Sequence, residues 1–351
     1  MAAPYKLSKR ACLHDTPEPP PNRETRLSLH DVFAGPDGLR AGWGLLLFVL
    51  VWQLLRLLLH PLVRSLVPGA AHSAQPMPPL LLVTLEAASL LCVAASTWVL
   101  AHVEGRRFRD YGLNDARGGR HLWAGAAWGA ALLSILVLCL RGVGALAFDG
   151  WQLSGLAAAE YAAVWVVGFL LVSLFEELLF RGYVQYTIAR GIHGICSYFG
   201  LRHAGAIGFW TAALLTSFYF GFGHGSNAGE SPIGLISAGL IALVFCFSIW
   251  RTGSLWWAIG FHAAWDWMQS FFYGVGDSGS MIQGHLLATH PMGRALVSGG
   301  VTGPEGSILN LPVIALAACA VFFTLPRINR DKDSAPYTPS KAAAPADVSL
   351  H

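Results

Sequence analysis

Charge is what this sequence has least of. Only 12% of its 351 residues are Asp, Glu, Lys or Arg, against 54% apolar, and the mean hydropathy is +0.50. A soluble domain carries about twice that charge, roughly 25%, so the soluble globular class is excluded. No run of Lys and Arg interleaved with aromatics is present, and the net charge of +3 is dispersed; no nucleic-acid partner is expected. The six cysteines, Cys12, Cys92, Cys139, Cys196, Cys246 and Cys319, stand singly and mostly inside apolar runs. They form neither a CxxC metal pattern nor a disulfide framework, and they read as packing residues. The start lacks the charged, apolar, then small-residue order of a cleavable signal peptide, so none is expected. No internal repeat of fixed period is visible, which weakens an inverted-repeat transporter reading.

What the chain does have is long apolar runs. Stretches able to cross about 30 Å of hydrocarbon fall near residues 41 to 59, 79 to 102, 121 to 140, 154 to 180, 206 to 223, 232 to 250, 254 to 273 and 308 to 326. They predict an all-α polytopic membrane protein of about eight transmembrane helices. Alternating the loops between two sides gives nineteen Lys and Arg on one, including Arg106, Arg107, Arg109, Arg117 and Arg120. The other side receives three, Arg64, Arg141 and Arg294. By the positive-inside rule both termini are expected in the cytoplasm, and the chain in the plasma (inner) membrane.

The expected organisation follows. A Pro-rich, disordered cytoplasmic segment covers 1–40, the first three helices 41–153, and a core of helices four to seven 154–273. An outer loop covers 274–307, the last transmembrane helix 308–333, and a disordered Ala/Pro/Ser-rich tail 334–351. The outer loop is long and Gly-rich; it reads as a flexible connector, with a lid as the alternative.

The chemistry sits in the core. Phe175-Glu176-Glu177-Leu178-Leu179-Phe180-Arg181-Gly182 puts two carboxylates and a guanidinium at or inside an apolar segment, where each costs roughly 2.5 to 3.5 kcal/mol unless partnered. On a helix Glu177 and Arg181 stand at i and i+4, acid first, while Glu176 is turned about 100° away. One glutamate can be neutralised and the other left free, although a purely architectural ion pair would show the same pattern. Phe220-Gly221-Phe222-Gly223-His224 closes the fifth run, and a lone membrane histidine can equally be a packing residue. His262 and Asp266, again at i and i+4, share a face of the seventh. Depth checks this only in part. His262 lies roughly 12 Å in from the loop at 251–253 at 1.5 Å per residue. A straight helix from residue 206, however, carries His224 towards the outer face, so the helix either starts later or is bent by the glycines at 221, 223 and 225.

Glu-Glu-x-x-x-Arg, then Phe-x-x-x-His, then His-x-x-x-Asp, in that order on successive helices, resembles the CPBP family of intramembrane proteases. That family includes type II CAAX prenyl endopeptidases and bacteriocin-processing or bacteriocin-immunity proteins. The matching positions are Glu176, Glu177 and Arg181, then Phe220 and His224, then His262 and Asp266, within roughly residues 160 to 273. The resemblance implies that Glu176 and His224 activate the attacking water and that Glu177 and Arg181 support them. It also implies that His262 and the residue at 266 stabilise the oxyanion. Prenyl-protein proteases carry Asn where this chain has Asp266. An ionised carboxylate there would repel an oxyanion, so Asp266 orients His262, binds a metal or is protonated.

The expected activity is therefore peptide-bond hydrolysis in a membrane-associated protein or peptide substrate within the bilayer. The alternatives are a non-catalytic immunity or binding protein of the same fold and a proton-coupled transporter. Cofactor use stays open between none and Zn²⁺. Glu176, His224 and His262 would be a reasonable zinc set, although three separate helices supply them without the compact His-Glu-x-x-His spacing.

Overall fold

A computed structural model describes residues 32–35, 38–67, 76–227 and 229–328. The two segments expected to be disordered, nearly all of 1–40 and all of 334–351, lie outside those residues apart from a few positions before residue 41. Every apolar run becomes helix. The helices are α1 Ala41–Leu66, α2 Pro79–Val103, α3 Gly118–Gly142, α4 Gly155–Glu177, α5 Gln185–Tyr198, α6 Ala204–Gly223, α7 Pro232–Thr252, α8 Trp256–Asp266, α9 Ala295–Ser298 and α10 Asn310–Thr324. A π-helical segment, Leu178–Val184, joins α4 to α5 without a break, so Gly155–Tyr198 is one rod.

Six helical stretches among the described residues are long and apolar enough to cross a bilayer: α1, α2, α3, the α4–α5 rod, α6 with its last turn, and α7. The remaining two of the eight runs are shorter helices. Trp256–Asp266 is extended by a second π segment, Trp267–Phe272, and α10 has 15 residues. The chain is thus a multi-pass integral membrane protein in which the two shorter helices are held by their neighbours. α1 has only Gly44 and Phe48 buried, with Leu57 71% and Leu58 65% exposed; so much apolar surface covered by so little protein requires lipid.

Glycine sets the tightest packing. A Cβ on Gly125 would lie 2.1 Å from the carbonyl of Trp257, one on Gly129 2.3 Å from that of Phe261, and one on Gly260 2.0 Å from that of Leu122. Backbone therefore meets backbone between α3 and α8, the close approach that small residues four apart allow in membranes. This contact fixes α8, and with it His262 and Asp266.

The segment after α8 is built rather than loose. Strand β1, Leu146–Trp151, pairs antiparallel with β2, Leu287–Pro291, with a bulge between Phe148 and Gly150, and Met77 bridges to Ile282. Residues 274–307 are thereby tied to the α3–α4 connection and to the approach to α2. Glycines make the folding of this segment possible: Gly303 has φ +101°, and a Cβ there would stand 1.9 Å from the carbonyl oxygen of Gly276. The expectation of a flexible connector fails because such close backbone crossings, invisible as apolar periodicity, pack the segment over the core.

Candidate active site

Glu177 and Arg181 lie at the junction of α4 with its π segment, and both are fully buried. Arg181 Nη1 donates to Glu177 Oε1 at 3.0 Å. The guanidinium also lies 4.2 Å over the ring of Phe220 and 5.6 Å from that of Phe245, so aromatic faces take up charge that one carboxylate leaves exposed. A π turn inserts a residue into the ladder and occurs often at functional sites. Here one follows Glu176-Glu177 directly and another follows Asp266 directly.

His262 stands among the acids. Its Nδ1 is 3.2 Å from Glu177 Oε1, while its Nε2 is 3.7 Å from Glu176 Oε2 and 3.5 Å from Asp266 Oδ2. Only the first is within hydrogen-bond range. The ring stacks on Phe245 at 5.8 Å. Ionised carboxylates only accept, so Nδ1 carries the proton toward Glu177 and the Nε2 edge is held without being committed to a bond.

His224 opens the 3₁₀ turn His224–Ser226 after α6. Its Nδ1 is 2.7 Å from the carbonyl oxygen of Phe220. A carbonyl can only accept, so Nδ1 is the donor and a neutral ring keeps its lone pair on Nε2. The helix does not start late. It begins at Ala204 and runs unbroken to Gly223, and Gly221 serves close packing, since a Cβ there would lie 2.6 Å from the carbonyl oxygen of Leu235. His224 joins the site by lining the same cavity as Glu176 and His262.

That cavity, about 260 Å³, is lined by Glu176, His224, His262 and Asp266 together with Phe220 and Phe245. Glu177 and Arg181 do not line it and act from behind. Its walls also go beyond the four-helix core of 154–273: α2 brings Leu82 and Glu86, α10 brings Asn310 and Val313, and the segment over the core brings Asp277 and Glu305. Sequence reasoning missed these. Glu86 carried the same signal as Glu176, a carboxylate inside an apolar run. Asp277 and Glu305 lie among glycines and serines, where nothing in the pattern marks them.

Electrostatics at the rim follow from burial. Burial, and to a smaller degree Glu176, raises the Asp277 carboxyl to about 6, against the Ser270 hydrogen bond and the histidines. Burial and the neighbouring Asp277 push Glu305 well above the ordinary carboxylate range, and burial also raises Glu230. Among the described residues, no three His, Cys, Asp or Glu side chains stand close enough to hold a metal ion as they are arranged. Glu176, His224 and His262 share the cavity without forming a closed triad.

A family model described as type II CAAX prenyl endopeptidase Rce1-like matches residues 158–268, from α4 to the start of the second π segment. No curated protein and no solved structure matches the chain. The matched stretch contains Glu176, Glu177, Arg181, Phe220, His224, His262 and Asp266 in the order and on the helices described above, and this part of the chain is similar to the CPBP family, whose members include membrane proteases of the CAAX type.

Proposed function

We propose that the protein is an intramembrane endopeptidase that hydrolyses a peptide bond of a membrane-associated protein or peptide with water activated by Glu176 and His224. The observation that carries this reading is the convergence of Glu176, His224 and His262, from three separate helical segments, on one cavity inside an apolar bundle.

Water held between the Glu176 carboxylate and the lone pair of His224 Nε2 gives up a proton to Glu176, and its oxygen adds to the scissile carbonyl carbon. The negative charge that forms on the carbonyl oxygen is met by Nε2–H of His262 as an imidazolium, which carries a proton on each ring nitrogen and stands among three carboxylates. That group is available because Asp266, at 3.5 Å, orients the ring edge without bonding to it. Collapse of the tetrahedral intermediate breaks the C–N bond, and the proton on Glu176 passes to the leaving nitrogen, yielding a carboxylic acid and an amine. Glu177 fixes the orientation of the His262 ring by accepting from Nδ1–H, and Arg181 holds Glu177 in place. Exclusion of bulk water strengthens each of these interactions.

The test is Glu176→Gln, nearly isosteric. Comparative proteomics of membranes holding wild-type or Glu176→Gln protein should show fragments that depend on the carboxylate, with the variant folded and inactive. Identical fragment sets would remove the protease reading and favour the non-catalytic or transporter alternatives. Activity of the purified protein should survive chelation; loss on chelation and recovery with stoichiometric Zn²⁺ would make Glu176, His224 and His262 ligands.

A further inference from the structure

The end of the cavity nearest residues 274–307 carries polar groups that the hydrolytic chemistry does not use. Asp277, Ser278, Gly279 and Ser280 form a tight turn, with Asp277 N donating to Ser280 O at 2.9 Å and positive φ at Ser278 (+46°) and Gly279 (+81°). Both central residues at positive φ match a type I′ turn, costly for a serine. The turn aims Asp277 into the cavity and turns the Ser278 N–H towards Glu305. Asp277 Oδ2 accepts from Ser270 Oγ at 2.9 Å, and Glu305 Oε1 accepts from both the backbone N–H and the hydroxyl of Ser278. Each carboxylate thus spends one oxygen on holding the turn and keeps the other without a protein partner among the described residues.

Two further acceptors line the same cavity unpartnered. Asn310 is 2% exposed and its Oδ1 has no hydrogen-bond partner; Ser237 is 1% exposed and its Oγ has none. A buried polar atom left unsatisfied is costly, and here two line one cavity with two carboxylates. The complement of such a set is a donor with several N–H groups and a positive charge. A bare metal ion fits less well, because the acids are too far apart for three to share one.

We propose that this end of the cavity is a substrate subsite for a cationic nitrogen group, a lysine or arginine side chain or a free amino terminus, held by Asp277, Glu305, Asn310 and Ser237. This rests on the protease reading for the statement that the ligand is a substrate, while the binding itself does not depend on it. The raised pKa values of Asp277 and Glu305 agree: burial holds both carboxyls back from full ionisation, and the Asp277 charge adds to this at Glu305.

The experiment uses full-length Glu176→Gln protein in lipid nanodiscs and fluorescent peptides with a common apolar segment. The peptides place lysine, arginine or norleucine at successive positions, each made with a free and an acetylated amino terminus. At one position lysine or arginine should bind at least about tenfold more tightly than norleucine, or the free amino terminus should do so over the acetylated one. Asp277→Asn and Glu305→Gln, confirmed folded by gel filtration, should bring that ratio to about one. Equal affinities for charged and neutral peptides, or a ratio unchanged in both variants, overturns the subsite. Cleavage of the same peptides by the wild-type protein tests the other claim: charge-selective binding with no cleavage keeps the subsite and removes the protease reading. Cleavage without charge selection does the reverse.

Discussion

Glu177 Oε1 faces His262 Nδ1 at 3.2 Å across the gap between α4 and α8, and the same oxygen takes Arg181 Nη1 at 3.0 Å. A single carboxylate oxygen therefore links the buried cation to the ring at the cavity wall. Removing Arg181 leaves the buried Glu177 carboxylate with His262 Nδ1–H as its remaining partner, and breaking such a buried pair costs about 3–5 kcal/mol, a large share of what keeps a domain folded. Arg181→Ala should lower folded yield and thermal stability in detergent, in contrast to Glu176→Gln. Wild-type stability of Arg181→Ala would show that the pair is dispensable for the fold.

Gly260 precedes His262 by two residues and touches backbone, with a Cβ 2.0 Å from the Leu122 carbonyl oxygen. Gly260→Leu should push α8 from α3, cost about 1–3 kcal/mol by overpacking, and displace His262. A displacement near 1 Å is enough to lower kcat about hundredfold. Gly119→Ala, on α3 with nothing within 4 Å of the added atom, is the control and should change neither activity nor stability. Equal rates for the two variants would mean that the glycine contact does not position the site.

Stability should depend on pH through Asp277. Its folded value of about 6 exceeds the ordinary 3.8, so the folded protein holds this proton more tightly than the unfolded chain. The stabilisation is complete below about pH 4 and is lost as pH rises through 6. Glu305 and Glu230, also raised, act with the same sign. Thermal unfolding between pH 5 and 7 should give a midpoint that falls with rising pH, and Asp277→Asn should flatten that slope. Parallel profiles for the two proteins would show that Asp277 does not titrate differently on folding.

Both termini should lie in the cytoplasm, as the nineteen-to-three distribution of Lys and Arg requires under the positive-inside rule. Single-cysteine labelling at residues 5 and 345 with a membrane-impermeant maleimide, in intact cells against permeabilised ones, reads this directly. Labelling of either position in intact cells would reverse the loop assignments.

The sequence by itself determined that the chain lives in a membrane, because 54% apolar composition in runs of twenty residues has no other stable solvent. Its motifs also marked the acid and histidine positions that line the cavity, Glu176, His224, His262 and Asp266, since a charge inside such a run needs a reason, although the i, i+4 spacing accounts only for His262 with Asp266 there. Whether Glu176 and His224 could meet was decided only in three dimensions, where both line one cavity. Tertiary structure alone likewise brought Asp277, Glu305 and Asn310 to the site. They come from a Gly-rich segment and the start of α10, where neither period 2 nor period 3.6 exists to be read, and their place depends on backbone crossings such as Gly303 against Gly276. Periodicity reports which face of an element is apolar; it carries no information about which loop folds over which cavity, because that is fixed by contacts between residues far apart in the chain.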